Sequence, residues 1–424
     1  MNVLVIGNGG REHAIIQALK KSPKVGKIYA MKGNAGIGTD AELVNVDFMD
    51  KDAVCAWLKS HTDVGFTVVA PDDPLSIGLV DAIEGCGFKA FGPNKAAAII
   101  EASKAFSKNL MKKYGIPTAA YETFDDYETA KAYVETCALP VVLKADGLAL
   151  GKGVLICKTR EEAQKGLAEM MLEAKFGKAG ATVVVEEFLE GPEVSVLSFT
   201  DGKTIVPMIT SCDHKRAKDN DEGLNTGGMG TFSPAPFFGE KSLQEVMEKI
   251  MLPTVSAMNA EGRPFKGVLY FGLMKTKDGY KVIEYNSRFG DPETQVVLPM
   301  LKTDLMEIFE AVVDERLDEV KIEWREGACV CLVLASGGYP EAYEKGKEIT
   351  IGQLDEDVVL CHAGTAMKDG KLVTAGGRVL GVCARGKDVE DARKKVYANA
   401  EKIHFDGMYY RKDIGIKYRD VVKE

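Results

Sequence analysis

The sequence has few of the features that build zinc centres or nucleic-acid surfaces. Its nine cysteines include no Cys-x-x-Cys pair and its five histidines include no His-x-x-x-His pair, so a zinc centre is not expected. The net charge is −9 and no block of basic residues occurs, which argues against a nucleic-acid partner because binding to a phosphate backbone needs a concentrated positive face.

Long apolar runs are also missing. No run approaches the length of a membrane span, and the N-terminal stretch Met1–Gly7 has neither the basic segment nor the apolar length of a signal peptide. The scattered cysteines are typical of small core residues in a reducing compartment. We therefore expect a cytoplasmic protein with no membrane partner.

The sequence does have the composition of an ordinary globular protein, with 46% hydrophobic and 28% charged residues. Its 424 residues suffice for about three domains. Strands alternate with helices over residues 1–100, which predicts a doubly wound α/β domain. We predict an α+β central region over residues 101–325 and a small α+β domain over residues 326–424.

Three segments carry specific local expectations. Ile77–Cys86 and Ala97–Tyr114 each predict one continuous helix. Asp213–Gly230 is polar and rich in glycine, so it predicts a long ordered loop, a kind of segment that is usually functional or disordered.

The most informative stretch follows the apolar strand Lys281–Ile283. Glu284, Asn286 and Arg288 are spaced two residues apart, so their side chains would share one face of a strand. Carboxylate and amide oxygens suit Mg²⁺, and a guanidinium suits an anionic substrate. The spacing predicts metal-assisted chemistry on a nucleotide.

A glycine-rich turn over Gly7–His13 lies between the first predicted strand and helix, where backbone N–H groups can hold a phosphate. Glu12 stands where a dinucleotide fingerprint needs its third glycine. The turn is therefore a tight structural turn or an anion site, and Gly9, Gly10 and Arg11 favour the anion site.

Two further segments are suited to ATP. Leu143–Gly153 has three glycines and two lysines, and can close over phosphates with Lys144 on the preceding strand; a solvated basic hairpin is the alternative. The strand end Val183–Glu193 can read an adenine edge and, through Glu193, ribose hydroxyls; an acidic strand end that faces water is the alternative.

Two segments around the predicted loop are suited to other ligands. Asp213 can take an amine and Lys215 or Arg216 an anion; a charged surface turn is the alternative. Asn225–Gly230 has enough glycine to form a backbone nest for an anion.

Taken in order, these segments resemble the phosphoribosylamine–glycine ligases of the ATP-grasp superfamily over essentially the whole chain. The blocks that carry the resemblance are GNGGREHA, FGPN, SKAF, KADGLALGKGV, EEFL, DHKR, NTGGMG, IEYNSRFGDPETQ, GGYP, HAGT, GGRVL and RKDIG. The combination of NTGGMG with NSRFGDPETQ in this order is specific, whereas EEFL alone is weak.

The resemblance implies ATP-dependent joining of glycine to 5-phosphoribosylamine through a glycyl phosphate intermediate, in purine biosynthesis. It implies an ATP-grasp central region with a mobile lid subdomain over about residues 118–190. ATP and Mg²⁺ or Mn²⁺ would be the cofactors, the small-molecule substrates the partners, and the chain a monomer.

The resemblance also implies roles for individual residues. Lys104 and Lys144 would contact ATP phosphates, Glu186, Glu187 and Leu189 the adenine, and Glu193 the ribose, while Gly151, Lys152 and Gly153 would form a closing loop. Glu284 and Asn286 would bind the metal ion. The substrates would contact Gly9, Gly10, Asn225, Thr226, Gly227, Gly228 and Arg288, with Arg288, Lys152 and Asp213 as the catalytic residues.

Three departures from the family pattern matter. Asp72 stands where related enzymes carry a glutamate, which puts a sugar contact at this position in doubt. Leu150 replaces an alanine of the closing loop. The strand Gly267–Lys277 has no acidic residue, whereas many ATP-grasp enzymes add a metal-binding acid there, so the metal ion would rely on water and phosphate oxygens.

Three other functions compete with this one. A related carboxylate–amine ligase with another acid or amine would use the same motifs. An NAD(P)-dependent oxidoreductase is disfavoured by the broken fingerprint at Glu12. A non-catalytic nucleotide sensor is disfavoured because Lys144, Glu284, Asn286 and Arg288 are all retained.

Overall fold

The computed structural model describes residues 1–148, 153–173 and 177–421. Its first sheet has five parallel strands in the order β3-β2-β1-β4-β5, which is the order of a doubly wound sheet. The strands are β1 Asn2–Gly7, β2 Ile28–Lys32, β3 Glu42–Val44, β4 Val64–Val69 and β5 Ala90–Phe91. The apolar run Val3–Ile6 is fully buried, as a parallel strand covered on both faces requires.

Seven helices accompany the first sheet and lead out of it. They are α1 Gly10–Leu19, α2 Ile37–Asp40, α3 Lys51–Ser60, α4 Asp72–Ile77, α5 Leu79–Gly85, α6 Lys95–Ala102 and α7 Lys104–Tyr114. The helix predicted over Ile77–Cys86 is present as α5, whereas the single helix predicted over Ala97–Tyr114 is divided into α6 and α7. Gly78 has a φ of +87° and separates α4 from α5. Ser103 separates α6 from α7, and its hydroxyl accepts a hydrogen bond from the Phe106 N–H, so it caps α7.

The second sheet is antiparallel, with four strands in the order β6-β9-β7-β8. They are β6 Tyr121–Phe124, β7 Val141–Ala145, β8 Val154–Cys157 and β9 Val183–Glu187, and helices α8 Tyr127–Val134 and α9 Arg160–Met171 share an apolar core with them.

The third sheet contains the predicted metal-binding strand. Its order is β11-β10-β16-β17, with β10 Glu193–Asp201, β11 Ile205–Pro207, β16 Lys266–Thr276 and β17 Gly279–Asn286. A hydrogen bond from Lys144 of β7 to the Ile283 carbonyl of β17 joins the second and third sheets, and Thr118, just before β6, forms a bridge with Val282.

The predicted long loop over Asp213–Gly230 is wrong, because this segment forms short strands. They are β12 Cys212–Asp213, β13 Arg216–Lys218, β14 Glu222–Asn225 and β15 Gly230–Ser233, and β13 and β14 pair as a hairpin. The fully buried Arg411 guanidinium donates to the Arg216 carbonyl at 3.0 Å and pairs with Asp221 at 3.0 Å. A polar segment is thus ordered by a distant arginine that local composition does not reveal.

The fourth sheet runs in the order β12-β15-β18-β23-β20, with β25 beside β18. The remaining strands are β18 Ala328–Ser336, β19 Thr350–Ile351, β20 Val358–His362, β21 Thr365–Lys368, β22 Lys371–Thr374, β23 Arg378–Gly386, β24 Ile403–His404 and β25 Met408–Tyr409. The remaining α-helices are α10 Glu240–Val246, α11 Leu252–Ala260, α12 Thr294–Met300, α13 Leu305–Val313 and α14 Val389–Ala400. The multidomain α/β and α+β fold class is confirmed. The predicted domain boundaries stay predictions. The fourth sheet contains strands from both sides of the predicted boundary between residues 325 and 326.

All nine cysteines are free thiols, and six of them are buried.

Among the described residues, no helix combines the length and the apolar character needed to cross a membrane.

Candidate active site

A buried carboxylate between two lysines lies at the junction of the second and third sheets. Glu186 Oε2 is 2.9 Å from Lys144 Nζ, and Glu186 Oε1 is 3.2 Å from Lys108 Nζ. Lys144 also donates to the Ile283 carbonyl of β17 at 2.9 Å. Burial lowers the pKa of Lys108 to about 8, although Glu186 opposes this shift. Sequence reasoning missed Lys108; its position one helical turn after Lys104 was the available signal.

Lys104 ties α7 to the start of the glycine-rich segment. Its Nζ donates to the Gly147 carbonyl at 2.7 Å, and the neighbouring Ala105 N–H donates to Asp146 Oδ1 at 3.0 Å. Burial lowers the pKa of Lys104, and Glu284 opposes the shift. Lys104 and Lys144 therefore face Glu284 across the junction.

Of the predicted trio, Glu284 and Asn286 lie on β17, whereas Arg288 lies beyond the end of the strand at Asn286. Arg288 Nη2 donates to Asn286 Oδ1 at 3.2 Å and pairs with Glu101 Oε1 at 2.8 Å. Glu284 pairs instead with Lys215, with 3.3 Å between Oε1 and Nζ. Lys215, followed by burial in the opposite sense and then by Lys144 and Lys104, brings the pKa of Glu284 to about 2.

Glu284 and Asn286 fit a hard divalent cation. The carboxylate is ionised at neutral pH, and Asn286 adds an amide oxygen two residues along the same strand. Gly272 lies opposite Glu284 on β16 and supplies no third acid. No cluster of three or more histidine, cysteine or acidic side chains suited to a metal occurs in the described ranges. The donor set is thus of the kind that is completed by water and phosphate oxygens.

The remaining residues expected to contact ATP lie along the same junction. Glu187 is exposed at the end of β9 and pairs with Lys281 at 3.1 Å, while Leu189 is half-buried in the following segment. Glu193 starts β10 and lies 3.4 Å from Lys215 Nζ, so Lys215 bridges Glu193 and Glu284. The Gly153 carbonyl accepts from the Ala145 N–H at 2.9 Å. Gly151 and Lys152 lie outside the described residues.

The Gly9–Gly10 turn packs against the segment that follows Arg288. An added Cβ at Gly9 would lie 3.3 Å from Asp291 Oδ2, and one at Gly10 would lie 2.7 Å from Gln295 Nε2. The Gly9 N–H already donates to Glu12 Oε2 at 2.7 Å. The Arg11 guanidinium donates to the Phe289 carbonyl rather than facing an open anion site. The turn brings the first sheet to the site, but its first N–H and Arg11 are satisfied within the protein.

The predicted anion nest at Asn225–Gly228 is likewise occupied by protein groups. The Gly227 N–H donates to the Tyr339 hydroxyl at 3.1 Å, and the Gly228 N–H donates to Thr226 Oγ1 at 2.9 Å. The carbonyl groups have a partner as well, because Arg378 Nη1 donates to the Gly227 oxygen at 2.6 Å.

Sequence reasoning also missed Arg378, which joins two substrate-side segments. Besides Gly227, it donates to the Asp291 carbonyl at 2.8 Å and lies 3.3 Å from an Asp291 carboxylate oxygen. Arg378 belongs to the block GGRVL, but the local sequence did not indicate that its side chain would contact Gly227 and Asp291.

Two acids face each other beside this arginine. Asp213 lies against Gly228, and burial together with Glu293 raises the pKa of Asp213 well above its ordinary value. Glu293 accepts a hydrogen bond from the Tyr270 hydroxyl at 3.1 Å, and burial raises its pKa too. These groups form a buried acidic pair of the kind that readily accepts a cation.

Asp72, the residue that departs from the family pattern, lies at the other side of Arg288. Burial alone would raise its pKa, but Arg288 and Arg11 outweigh burial and lower it. The shorter side chain is therefore still an ionised carboxylate within reach of the site's arginine.

Comparison with known proteins bears directly on this arrangement. Three family models of phosphoribosylglycinamide synthetase match in order: the N domain at residues 1–101, the ATP-grasp (A) domain at 102–294 and the C domain at 329–417. The chain belongs to the phosphoribosylglycinamide synthetase family.

Individual members of the phosphoribosylglycinamide synthetase family match along their whole length. The phosphoribosylamine–glycine ligase of Halalkalibacterium halodurans is 49% identical over 418 residues, which are 98% of this chain and 97% of that protein. The crystal structure of the ligase from Thermotoga maritima is 36% identical, covers 98% of this chain and 100% of its own, and has a TM-score of 0.82.

Biotin carboxylase from Campylobacter jejuni, solved as a β,γ-ATP complex, shares only the fold, at 16% identity and a TM-score of 0.74 over 96% of this chain and 92% of that one. The chain is an ATP-grasp ligase of the phosphoribosylglycinamide synthetase family, and ATP-grasp enzymes use ATP with a divalent cation.

Proposed function

We propose that this chain is a phosphoribosylamine–glycine ligase of purine biosynthesis, which joins glycine to 5-phosphoribosylamine with ATP and releases ADP and phosphate. A glycine carboxylate oxygen attacks the γ-phosphorus, the bond to ADP breaks, and glycyl phosphate forms. The amine of phosphoribosylamine then attacks the carbonyl carbon, phosphate leaves, and the amine loses a proton. The observation that carries the proposal is the convergence of Lys104 and Lys144 on Glu284, on the same strand as Asn286, which Arg288 contacts.

On the ATP side, the chain contributes charge and position. Lys144 and Lys104 neutralise phosphate oxygens, and Glu186 holds Lys144 in place at 2.9 Å. Glu186, Glu187 and Leu189 lie along the adenine position and Glu193 beside the ribose. No protein nucleophile is needed, so positioning and charge neutralisation suffice for phosphoryl transfer.

Glu284 and Asn286 would hold Mg²⁺ or Mn²⁺, which when bound would neutralise charge on the phosphates. The ionised Glu284 supports this assignment, and Arg288 orients Asn286 by donating to its amide oxygen at 3.2 Å. Lys215 must then release Glu284, or share it, when the cation arrives.

On the substrate side, the acidic pair Asp213 and Glu293 is placed to take the ammonium group of glycine. Arrival of a cation would lower both raised pKa values and ionise the pair. Arg288 would face the glycine carboxylate. The Gly9–Gly10 turn and the segment Asn225–Gly228 would form the walls toward phosphoribosylamine, held together by Arg378 through Gly227 and Asp291. We also propose that the protein is a monomer in the cytoplasm.

Glycine-dependent ADP release, with phosphoribosylamine generated in the assay, tests the function directly. We expect release to need both substrates and a divalent cation, and to fall to background in Glu284→Ala while the unfolding temperature is retained. Background release by the wild-type chain would reject the ligase. Near-normal release by the variant would reject only the metal assignment. Release with another amino acid but not with glycine would identify a different carboxylate–amine ligase.

A further inference from the structure

A cavity of about 770 Å³ lies on the far side of α1 from the candidate active site. It is bounded by the C-terminal end of α1, the connection between α12 and α13, and strands β20 and β23 of the fourth sheet. Gly10, which packs against the substrate-side segment, begins the ten-residue helix α1, and Lys21 lies beyond its other end, about 15 Å away along the helix axis. None of the residues assigned to ATP, metal or substrates lines this cavity.

Five basic residues line the cavity, among them Lys20, which pairs with Asp40, and the exposed Lys302. The other three come from separate parts of the chain: Lys21, Arg325 and Arg385. In the described portion of the chain, none of them has a carboxylate oxygen within the 4.0 Å limit of an ion pair. Burial lowers the pKa of Lys21, and the nearby charges of Arg325 and Arg385 lower it further. Like charges that face a common space without a counter-ion favour the binding of an anion.

The carboxylates at the rim are engaged elsewhere or stand apart. Asp40 pairs with Lys20 at 2.6 Å, and Asp357 pairs with Lys395 at 2.6 Å. Asp304 accepts from the Ser22 hydroxyl at 2.7 Å and from the Met306 N–H at 2.9 Å. Glu356 also lines the cavity, but it does not come within 4.0 Å of the three cations.

The floor of the cavity is apolar and uncharged. It is formed by Leu298, Leu301 and three cysteines that include Cys329. Burial raises the pKa of the Cys329 thiol, so this thiol is neutral and does not oppose an anion. The volume falls within the range of small-molecule pockets, roughly 300–1,000 Å³. An apolar floor under a cationic rim fits a ligand that has both an apolar body and an anionic group.

We propose that this cavity is a second ligand site, specific for a phosphorylated small molecule with a flat apolar or aromatic body and separate from the ATP site. Lys21, Arg325 and Arg385 bind the phosphate group, and the body rests on Leu298, Leu301 and Cys329. The proposal does not depend on which amino acid or amine the ligase uses.

Calorimetric titration with 1-naphthyl phosphate tests the site, with the ATP site saturated by Mg·ADP. We expect one equivalent to bind, more weakly as salt is raised, and each of Lys21→Ser, Arg325→Ser and Arg385→Ser to weaken binding about tenfold or more. Inorganic phosphate tests the contribution of the charge alone, and 1-naphthol tests that of the aromatic body alone. Both should bind more weakly than 1-naphthyl phosphate. Lys347→Ser, which removes a surface lysine elsewhere, should leave the affinity unchanged.

Three results would overturn the proposal. Absence of binding, or equal affinity in wild type and the three variants, would mean that no such site exists or that the probe occupies the active site. Binding of 1-naphthol as tight as that of its phosphate would mean that the cations play no part. Sedimentation that shows a wild-type dimer dissociated by Arg325→Ser would mean that a second copy of the chain covers the cleft. Since the three residues lie outside the active site, turnover in the variants should match wild type, which verifies that they fold.

Discussion

Lys215 and Glu284 form an ion pair, with 3.3 Å between Nζ and Oε1, although 69 positions separate them in the chain. Lys215 also approaches Glu193 at 3.4 Å, and these two carboxylates raise its pKa well above the ordinary value although burial opposes the shift. A neighbouring cation of the protein itself therefore stabilises the ionised form of the proposed metal-binding carboxylate. A divalent cation would compete with that lysine for the same oxygen.

Replacement of Lys215 tests this pairing through the pH dependence of catalysis. In Lys215→Met, loss of the main cause of the depressed pKa should raise the pKa of Glu284 from about 2 by roughly one unit or more. The acid limb of kcat/KM for ATP should move to higher pH by the same amount. Lys203→Met, which breaks an exposed pair with Glu315, is the control and should not move it. An unchanged acid limb in Lys215→Met would show that Glu284 does not control this part of the profile.

Lys108 should make stability depend on pH in a specific window. Its pKa is about 8 in the folded protein and about 10.4 when unfolded, so between these values the unfolded chain binds more protons. Its contribution to the free energy of unfolding therefore rises with pH from about 8 to 10, by roughly 1–3 kcal/mol.

Lys108→Met should remove this rise, which urea unfolding at pH 7.5, 8.5 and 9.5 measures. Lys112→Met, on the exposed side of the same helix, should behave as wild type. If stability of Lys108→Met rises with pH as steeply as that of wild type, another group is responsible.

Arg378 should matter more for the substrates than for ATP, because it links Gly227 to Asp291. Loss of its charged hydrogen bonds in Arg378→Met should raise KM for glycine or phosphoribosylamine about tenfold or more and leave KM for ATP within about twofold. Lys371→Met, which removes a surface pair with Glu348, provides the control. Equal increases in all three KM values would instead indicate general disruption of the fold.

Gly228 should tolerate no side chain. Its φ is +113°, and an added Cβ would lie 2.5 Å from Pro292 Cδ and 2.7 Å from Asp213 Oδ1. Gly228→Ala should therefore displace Asp213 and reduce glycine-dependent ADP release about 100-fold or more. Gly370→Ala is a matched control, since its φ is +76° and an added Cβ meets nothing within 4 Å. That variant should lose about 1 kcal/mol of stability and no activity. Activity retained in Gly228→Ala would contradict a tight contact at this position.

Local sequence predicted that Glu284 and Asn286 lie two residues apart on one strand, whereas Arg288 lies beyond that strand and reaches Asn286 through a hydrogen bond. It also predicted the parallel first sheet, whose buried strands are continuous apolar runs. It failed for Asp213–Gly230, where the buried Arg411 orders a polar hairpin, and for the nest at Gly227, whose N–H groups are already satisfied by Tyr339 and Thr226. In each case the prediction failed because the group that forms the hydrogen bond is distant in the chain, or because the spacing of residues does not determine which way its side chain points.

The sequence by itself determined the fold class, the family and the strand that carries the proposed metal ligands, since these depend on local periodicity and on motifs read in order. Only the tertiary structure placed Lys108 beside Glu186, Lys215 beside Glu284 and Arg378 across the Gly227 and Asp291 segments. It also brought Lys21, Arg325 and Arg385 together around one cavity. Electrostatic interactions depend on distance in space, and the folding of separate sheets against one another sets those distances.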